Sequence, residues 1–131
     1  MDTTALEAHY RRYISYLNGK KVHDLGDFVH EELIYNGKSM TRDDYQNYIA
    51  DDFERIPDLY FDIHHLVASG NLVACRIEFN CTPSKEFRGH SPNGKKISFV
   101  EHVFYRFDES GRIREVWSLL DDPAIAAQMA S

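Results

Sequence analysis

An α+β domain, with helices first and a curved antiparallel sheet after them, is the fold this sequence predicts. Three observations carry it. Apolar residues recur at helical spacing as far as Phe53, the period changes to two from Leu59 onward, and turn residues punctuate the second half at hairpin intervals. Helices gathered on one side of an antiparallel sheet are a standard way for such elements to share one core. The 131 residues and 15.3 kDa give room for a single core, so one domain is expected over residues 1–131.

The elements follow in order. Thr3 or Thr4 can cap a first helix reaching Asn18, with Leu6, Tyr10, Tyr13, Ile14 and Leu17 as its buried stripe and Asn18-Gly19 as its stop. A shorter helix is expected over Val22 to Val29, with Leu25, Phe28 and Val29 inward. Leu33-Ile34-Tyr35 reads as a short strand closed by the turn pair Asn36-Gly37. Thr41 with Asp44 resembles a capping box, and the helix it opens carries Tyr45, Tyr48, Ile49 and Phe53 on one side until Pro57 stops it. Strands then alternate: Leu59 to Val67, a turn at Ser69-Gly70-Asn71, a return over Leu72 to Thr82, and a second hairpin of Ile97 to Phe107 and Arg112 to Asp121. Asp122 suits an N-cap and Pro123 a first helical position, so a short last helix is expected, with Ile125 and Met129 inward.

Composition excludes several classes of function. The formal charge is −6 and the basic residues are scattered, which argues against a nucleic-acid surface. No apolar run approaches the ~20 residues a membrane helix needs, and Met1-Asp2-Thr3-Thr4 lacks a signal peptide's basic start, so a cytoplasmic protein is expected. Cys75 and Cys81 fall on one strand roughly 20 Å apart, too far to pair within it, and read as core-filling thiols. No Cys-x-x-Cys or paired histidine spacing marks a metal site. A phosphate loop, a Gly-x-Ser-x-Gly elbow and a His-Glu-x-x-His helix are also missing from the sequence.

The chemistry-bearing candidates are polar residues on strands that should be buried. By strict alternation Ile113, Glu115, Trp117, Leu119 and Asp121 share one face of the last strand, and Arg114, Val116, Ser118, Leu120 and Asp122 share the other. A carboxylate beside Trp117 has two readings. Glu115 pairs with an arginine such as Arg76 and Asp121 merely closes the strand, or the face lines a cavity and Asp121 titrates at its rim. In the preceding strand, Glu101 and His102 are adjacent, so one ionisable group points inward whichever way the strand turns. Asn36 is first a turn residue, and its amide could also meet a ligand carbonyl.

Phe104-Tyr105-Arg106-Phe107, followed by Gly111-Arg112-Ile113-Arg114-Glu115-Val116-Trp117 and Asp121, resembles the signature of SnoaL-like proteins. These are the polyketide cyclase and ester cyclase branch of the nuclear transport factor 2-like superfamily. Ile56-Pro57-Asp58-Leu59 is similar to that family's helix-to-sheet junction, and Tyr35-Asn36-Gly37 to its short first strand. The resemblance implies a cone-shaped barrel, a strongly bent sheet around a pocket that the N-terminal helices close. It implies Asp121 as the acid/base of a cofactor-free aldol ring closure, with Asn36 and His102 binding or polarising the substrate. Ser118-Leu119-Leu120 and Cys81-Thr82-Pro83 depart from the anthracycline-type pattern.

The expected function is therefore general acid–base catalysis on a small, hydrophobic carbonyl compound. Asp121 and His102 would be catalytic, Asn36 and Arg76 would bind substrate, Phe61, Phe79, Phe104 and Trp117 would form the apolar wall, and no cofactor or metal would be needed. A second reading is steroid-like isomerisation or epoxide opening; the superfamily's Asp-Arg-Asp group could come from Arg76 with Asp62 and Asp121. The third is a ligand-binding or scaffold protein without chemistry, a homodimer pairing through an outward set of Leu66, Val103 and Tyr105.

Overall fold

The computed structural model describes residues 1–130. Its elements are α1 (Thr3–Asn18), β1 (Val29–Tyr35), β2 (Lys38–Thr41), α2 (Arg42–Arg55), β3 (Asp62–Ser69), β4 (Leu72–Cys81), β5 (Ile97–Phe107), β6 (Ile113–Leu120) and α3 (Asp122–Met129). Six strands form one sheet in the order β2-β1-β6-β5-β4-β3. Consecutive hairpins make β3 to β6 antiparallel, but β1 lies parallel to β6, so the sheet is mixed rather than wholly antiparallel.

The first helix buries the expected stripe of Leu6, Tyr10, Tyr13, Ile14 and Leu17 and adds His9, whose Nε2 meets the Gly111 carbonyl at 2.9 Å. Its cap is Asp2, one residue before the expected threonines, because the Asp2 carboxylate accepts from the Ala5 N–H at 2.7 Å. Both halves of the Thr41–Asp44 capping box form at the start of α2. Such a cap contributes about 1 kcal/mol and fixes where the helix points.

The helix expected over Val22 to Val29 does not form. Residues 22–28 run as turns and irregular backbone and Val29 opens β1, with Val22, Leu25, Phe28 and Val29 still buried. Gly26 costs helix stability, and eight residues are too few to nucleate without tertiary help. The backbone finds partners elsewhere: the Leu25 N–H donates to the Gln46 side chain at 3.1 Å, and Arg112 donates to the Gly26 carbonyl at 2.7 Å. The edge strand β2 was not expected, since its four residues are mostly exposed and carry no apolar alternation.

A bulge decides which way β6 faces. Arg106 of β5 pairs with Glu115 and Phe107 with Ile113, so Arg114 is an extra residue without a partner in the ladder. One inserted residue inverts the alternation after it. Ile113 and Val116 both point into the core, and Ser118 and Leu120 follow Val116 to the inner face, while Trp117 and Leu119 turn outward. Glu115 pairs with Arg106 at 2.9 Å, not with Arg76.

In β5 the inward set is Ile97, Phe99, Glu101, Val103, Tyr105 and Phe107. Val103 and Tyr105 are core residues and Leu66 packs half-buried against the core, so these three do not form an outward patch. The outer face instead carries Phe104, Trp117 and Leu119, which are 53%, 41% and 73% exposed. Cys75 and Cys81 are both buried as free thiols. No helix among the described residues is long and apolar enough to cross a membrane.

Candidate active site

The inner face of the sheet, α1 and α2 together enclose a cavity of about 70 Å³ that opens to solvent on one side. Phe61, Phe79 and Phe99 form one wall, with Phe61 and Phe79 rings 5.1 Å apart edge-on and Phe79 and Phe99 stacked at 5.1 Å. The opposite wall is phenolic: Tyr13, Tyr35, Tyr45, Tyr48 and Tyr105 all reach the cavity. The Tyr13 and Tyr45 hydroxyls share a hydrogen bond of 2.6 Å. Burial pushes the phenols of Tyr13, Tyr45 and Tyr105 well above their ordinary value, so they stay neutral and able to donate.

Two carboxyl groups face this space. Glu101 comes from β5 on the same side as Phe99 and Val103, and the Ser118 hydroxyl of β6 donates to its Oε2. Burial raises the Glu101 carboxyl above the usual range, against the lowering pull of that hydroxyl and of the Arg88 charge. Asp52 comes from α2, four residues after Tyr48 and three after Ile49, which puts all three on the cavity face. Burial is again the main cause of its shift, and the charges of Asp51 and Glu101 add to it. Arg88 and Arg55 pull the other way, leaving Asp52 pushed up to about 7.

Arg88 stands at the mouth, in the segment between β4 and β5. Its guanidinium holds the Asp122 carboxylate through Nε and Nη2, the latter at 2.8 Å. Among the described residues it is the one basic side chain in the cavity lining. No three His, Cys, Asp or Glu side chains among the described residues gather as metal ligands would.

Of the residues expected at the site, Phe61 and Phe79 are brought to the cavity and the others are not. Asp121 caps α3, accepting from the Ala124 N–H at 3.2 Å, while Asp122, expected as that cap, holds Arg88 instead. Trp117 lies on the outer face because of the β6 bulge, and Phe104 sits opposite it across the ladder, facing out as well. His102 and Arg76 are cross-strand partners on that same outer face, where Arg76 Nη1 donates to His102 Nε2 at 2.6 Å. Arg76 therefore joins neither Asp62, which pairs with His64 at 3.2 Å, nor Asp121 in an Asp-Arg-Asp group.

Asn36 is committed to structure. It adopts the expected turn with a positive φ of 48°, and its side-chain amide spans to β6, accepting from the Ser118 N–H at 2.8 Å and donating to the Ser118 carbonyl at 3.1 Å. Its amide nitrogen and oxygen each make one bond to Ser118, and the residue does not line the cavity. The consequence is indirect: Asn36 fixes the backbone of the residue whose hydroxyl holds Glu101.

Asp52, Arg88 and the tyrosine wall had not been expected at a site. For Asp52 the signal was present, since it lies at helical spacing from Tyr48 and Ile49. Arg88 had no sequence signal, because it belongs to an irregular connection.

A family model described as SnoaL-like polyketide cyclase matches residues 7–129. A SnoaL-like polyketide cyclase from Agrobacterium tumefaciens is 38% identical, covers 98% of each chain and superposes with a TM-score of 0.90. TsrD from Streptomyces laurentii, at 15% identity and a TM-score of 0.87, covers 98% of this chain and is covered to 97%. IdmH from Streptomyces antibioticus, at 20% identity and a TM-score of 0.81, aligns over the whole of both chains. The last two show the shared fold. None of the curated proteins compared with this sequence matches it.

Proposed function

The chain belongs to the SnoaL-like polyketide cyclase family, and from that premise we propose that its cavity performs cofactor-free proton transfer on a small, hydrophobic carbonyl compound, with Glu101 and Asp52 as the acid–base pair. One observation carries the reading: two carboxyl groups face a single phenol-lined cavity, and burial shifts both toward neutrality. A catalytic acid or base works best with a pKa near the operating pH.

The chemistry balances without a cofactor. Asp52, as carboxylate, takes a proton from the carbon beside a carbonyl, and Glu101, as the neutral acid, hydrogen-bonds to that carbonyl oxygen as it gains charge. Neutral tyrosine hydroxyls, largely buried, supply further donors at the site, where such bonds count for more than in bulk water. In an aldol closure the enolate carbon then bonds to a second carbonyl carbon of the same molecule. The first carbonyl re-forms, and the proton held by Asp52 passes to the second carbonyl's oxygen, which becomes a hydroxyl. If no second carbonyl is present, returning the proton to another carbon gives an isomerisation.

The cavity's size supports a single ring or a short chain in the enclosed part, with any larger portion projecting through the mouth. The outer face supports assembly as a homodimer, because Phe104, Trp117 and Leu119 form an apolar strip on paired strands. The direct test is proton exchange. Phenylacetone incubated with the protein in D₂O should lose its benzylic and methyl proton signals faster than in buffer, and Glu101→Gln should remove the acceleration. Wild-type and variant protein exchanging equally would refute the assignment of Glu101.

A further inference from the structure

The geometry points to a substrate that carries a free carboxylate, held at the cavity mouth by Arg88 while its apolar part lies inside. This inference rests on the acid–base reading of the cavity and names the class of compound it takes. Three independent features of Arg88 lead to it.

The first is its backbone. Phe87 and His90 exchange both of their N–H···O bonds at 2.9 Å, which makes Arg88-Gly89 a two-residue hairpin tip. Both residues have positive φ, 50° for Arg88 and 84° for Gly89. That combination is the mirror-image turn whose first position favours Asn, Asp or Gly. A long side chain in the left-handed region is disfavoured, and retained strain of this kind clusters where a side chain must be aimed. Here it aims a guanidinium at the mouth of the cavity.

The second is the pattern of hydrogen bonding. Asp122 takes Nε and one side of Nη2, which is one edge of the fork. Asp122 thus orients the planar group from the solvent side, where Arg88, His90 and Pro123 line an open groove. The remaining edge, Nη1 with the second Nη2 proton, matches a carboxylate in bidentate fashion.

The third is the charge around it. Arg88 is the one basic side chain lining the cavity among the described residues, and the groups it faces inward are Glu101, Asp52, Tyr35 and Tyr48. Burial shifts all four toward their uncharged forms, which weakens the competition from inside the cavity for the guanidinium. A dianionic phosphate suits the place less well than a monoanionic carboxylate, because the Asp122 carboxylate already flanks the guanidinium.

The test uses two compounds that differ at this one group. Phenylpyruvate and phenylacetone share a benzylic methylene and a ketone, and the first has a carboxylate where the second has a methyl. Calorimetric titration of the whole protein at pH 6.5 should give at least tenfold tighter binding of phenylpyruvate. Arg88→Gln should reduce that preference to near unity, and Arg88→Lys, which keeps the charge without the fork, should retain part of it. Melting curves for both variants establish that they are folded. A wild type with no preference for phenylpyruvate overturns the inference, as does a preference that survives Arg88→Gln. Glu101→Gln separates this from the acid–base reading: it should keep the carboxylate preference while losing deuterium exchange. Preference without exchange in the wild type would leave the carboxylate site standing and refute the catalytic roles.

Discussion

Replacing Asp52 with Asn should stabilise the protein above neutral pH and leave it little changed near pH 4. In the unfolded chain the Asp52 carboxyl ionises at its ordinary value of 3.8, whereas in the fold burial delays ionisation to about 7. Between those values the native state binds the extra proton, so wild-type stability falls as pH rises through the window and the loss is complete above about 7. A shift of about 3 units corresponds to roughly 4 kcal/mol at ~1.36 kcal/mol per unit. Asp52 keeps some contact with solvent at the mouth, which lowers the expected value to about 2–3 kcal/mol. Asn fills the same space and carries no charge, so the variant escapes the penalty. Urea denaturation at pH 4 and pH 8 measures the difference directly, and its growth with pH matters more than its absolute size. A difference that is the same at both pH values, or that grows in the opposite direction, would refute the placement of Asp52 as a buried neutral-range acid. The variant should also lose proton exchange, the common outcome when a destabilising group is kept for its chemistry.

Glu101→Gln preserves shape and should cost about 10²–10⁴-fold in deuterium exchange, read by proton NMR, because an amide is a much weaker acid and stabilises the developing enolate oxygen less than a carboxylic acid does. Asn36→Gly keeps the left-handed turn while removing the amide that spans to Ser118; it should lower kcat about tenfold with KM nearly constant and cost about 1 kcal/mol in urea. An altered KM with constant kcat would mean that Asn36 meets substrate after all. Leu119→Asp places a charge in the exposed strip outside the cavity and should convert the proposed homodimer to a monomer in sedimentation, with exchange retained by the folded chain. Identical sedimentation of wild type and variant would remove that face from the interface.

The fold was largely legible because its signals are local. Helical stripes in α1 and α2, a capping box at Thr41, and the hairpin turn at Ser69-Gly70-Asn71 each specify an element without reference to the rest of the chain. What failed was either weakly patterned or dependent on distant partners. β2 is a short exposed edge, and the segment from Val22 to Val29 has helical apolar spacing but takes its backbone bonds from Gln46 and Arg112. Arg88 is aimed by a hairpin tip inside an irregular connection, which no periodicity announces.

The site was legible only up to a choice of face. Alternation says that neighbours on a strand point opposite ways, and does not say which way is in. The reading that either Glu101 or His102 must point inward contained the right residue, yet the choice between them needs a reference residue on the same strand. Phe99, Val103 and Tyr105 give it: β5 buries its odd-numbered positions, and Glu101 is odd. Carrying the same parity across to β6 fails, because Arg114 is inserted after Ile113 and inverts it. Alternation placed Trp117 on the inner wall with Asp121 beside it, whereas in the structure Trp117 faces outward and Asp121 caps α3. The bulge also brings Ser118 to the inner face, opposite Val103 and within reach of Glu101, which strict alternation would have turned away. One unpaired residue in a ladder therefore sets both the outer apolar strip and the hydroxyl that holds the buried acid. A bulge next to a site re-aims the side chains that follow it, and here deleting Arg114 should exchange the two faces of β6, sending Trp117 against the core and Ser118 away from Glu101. Such a chain could not keep Val116 and Leu120 buried, so the deletion is expected to abolish cooperative folding, where a merely decorative bulge would tolerate it.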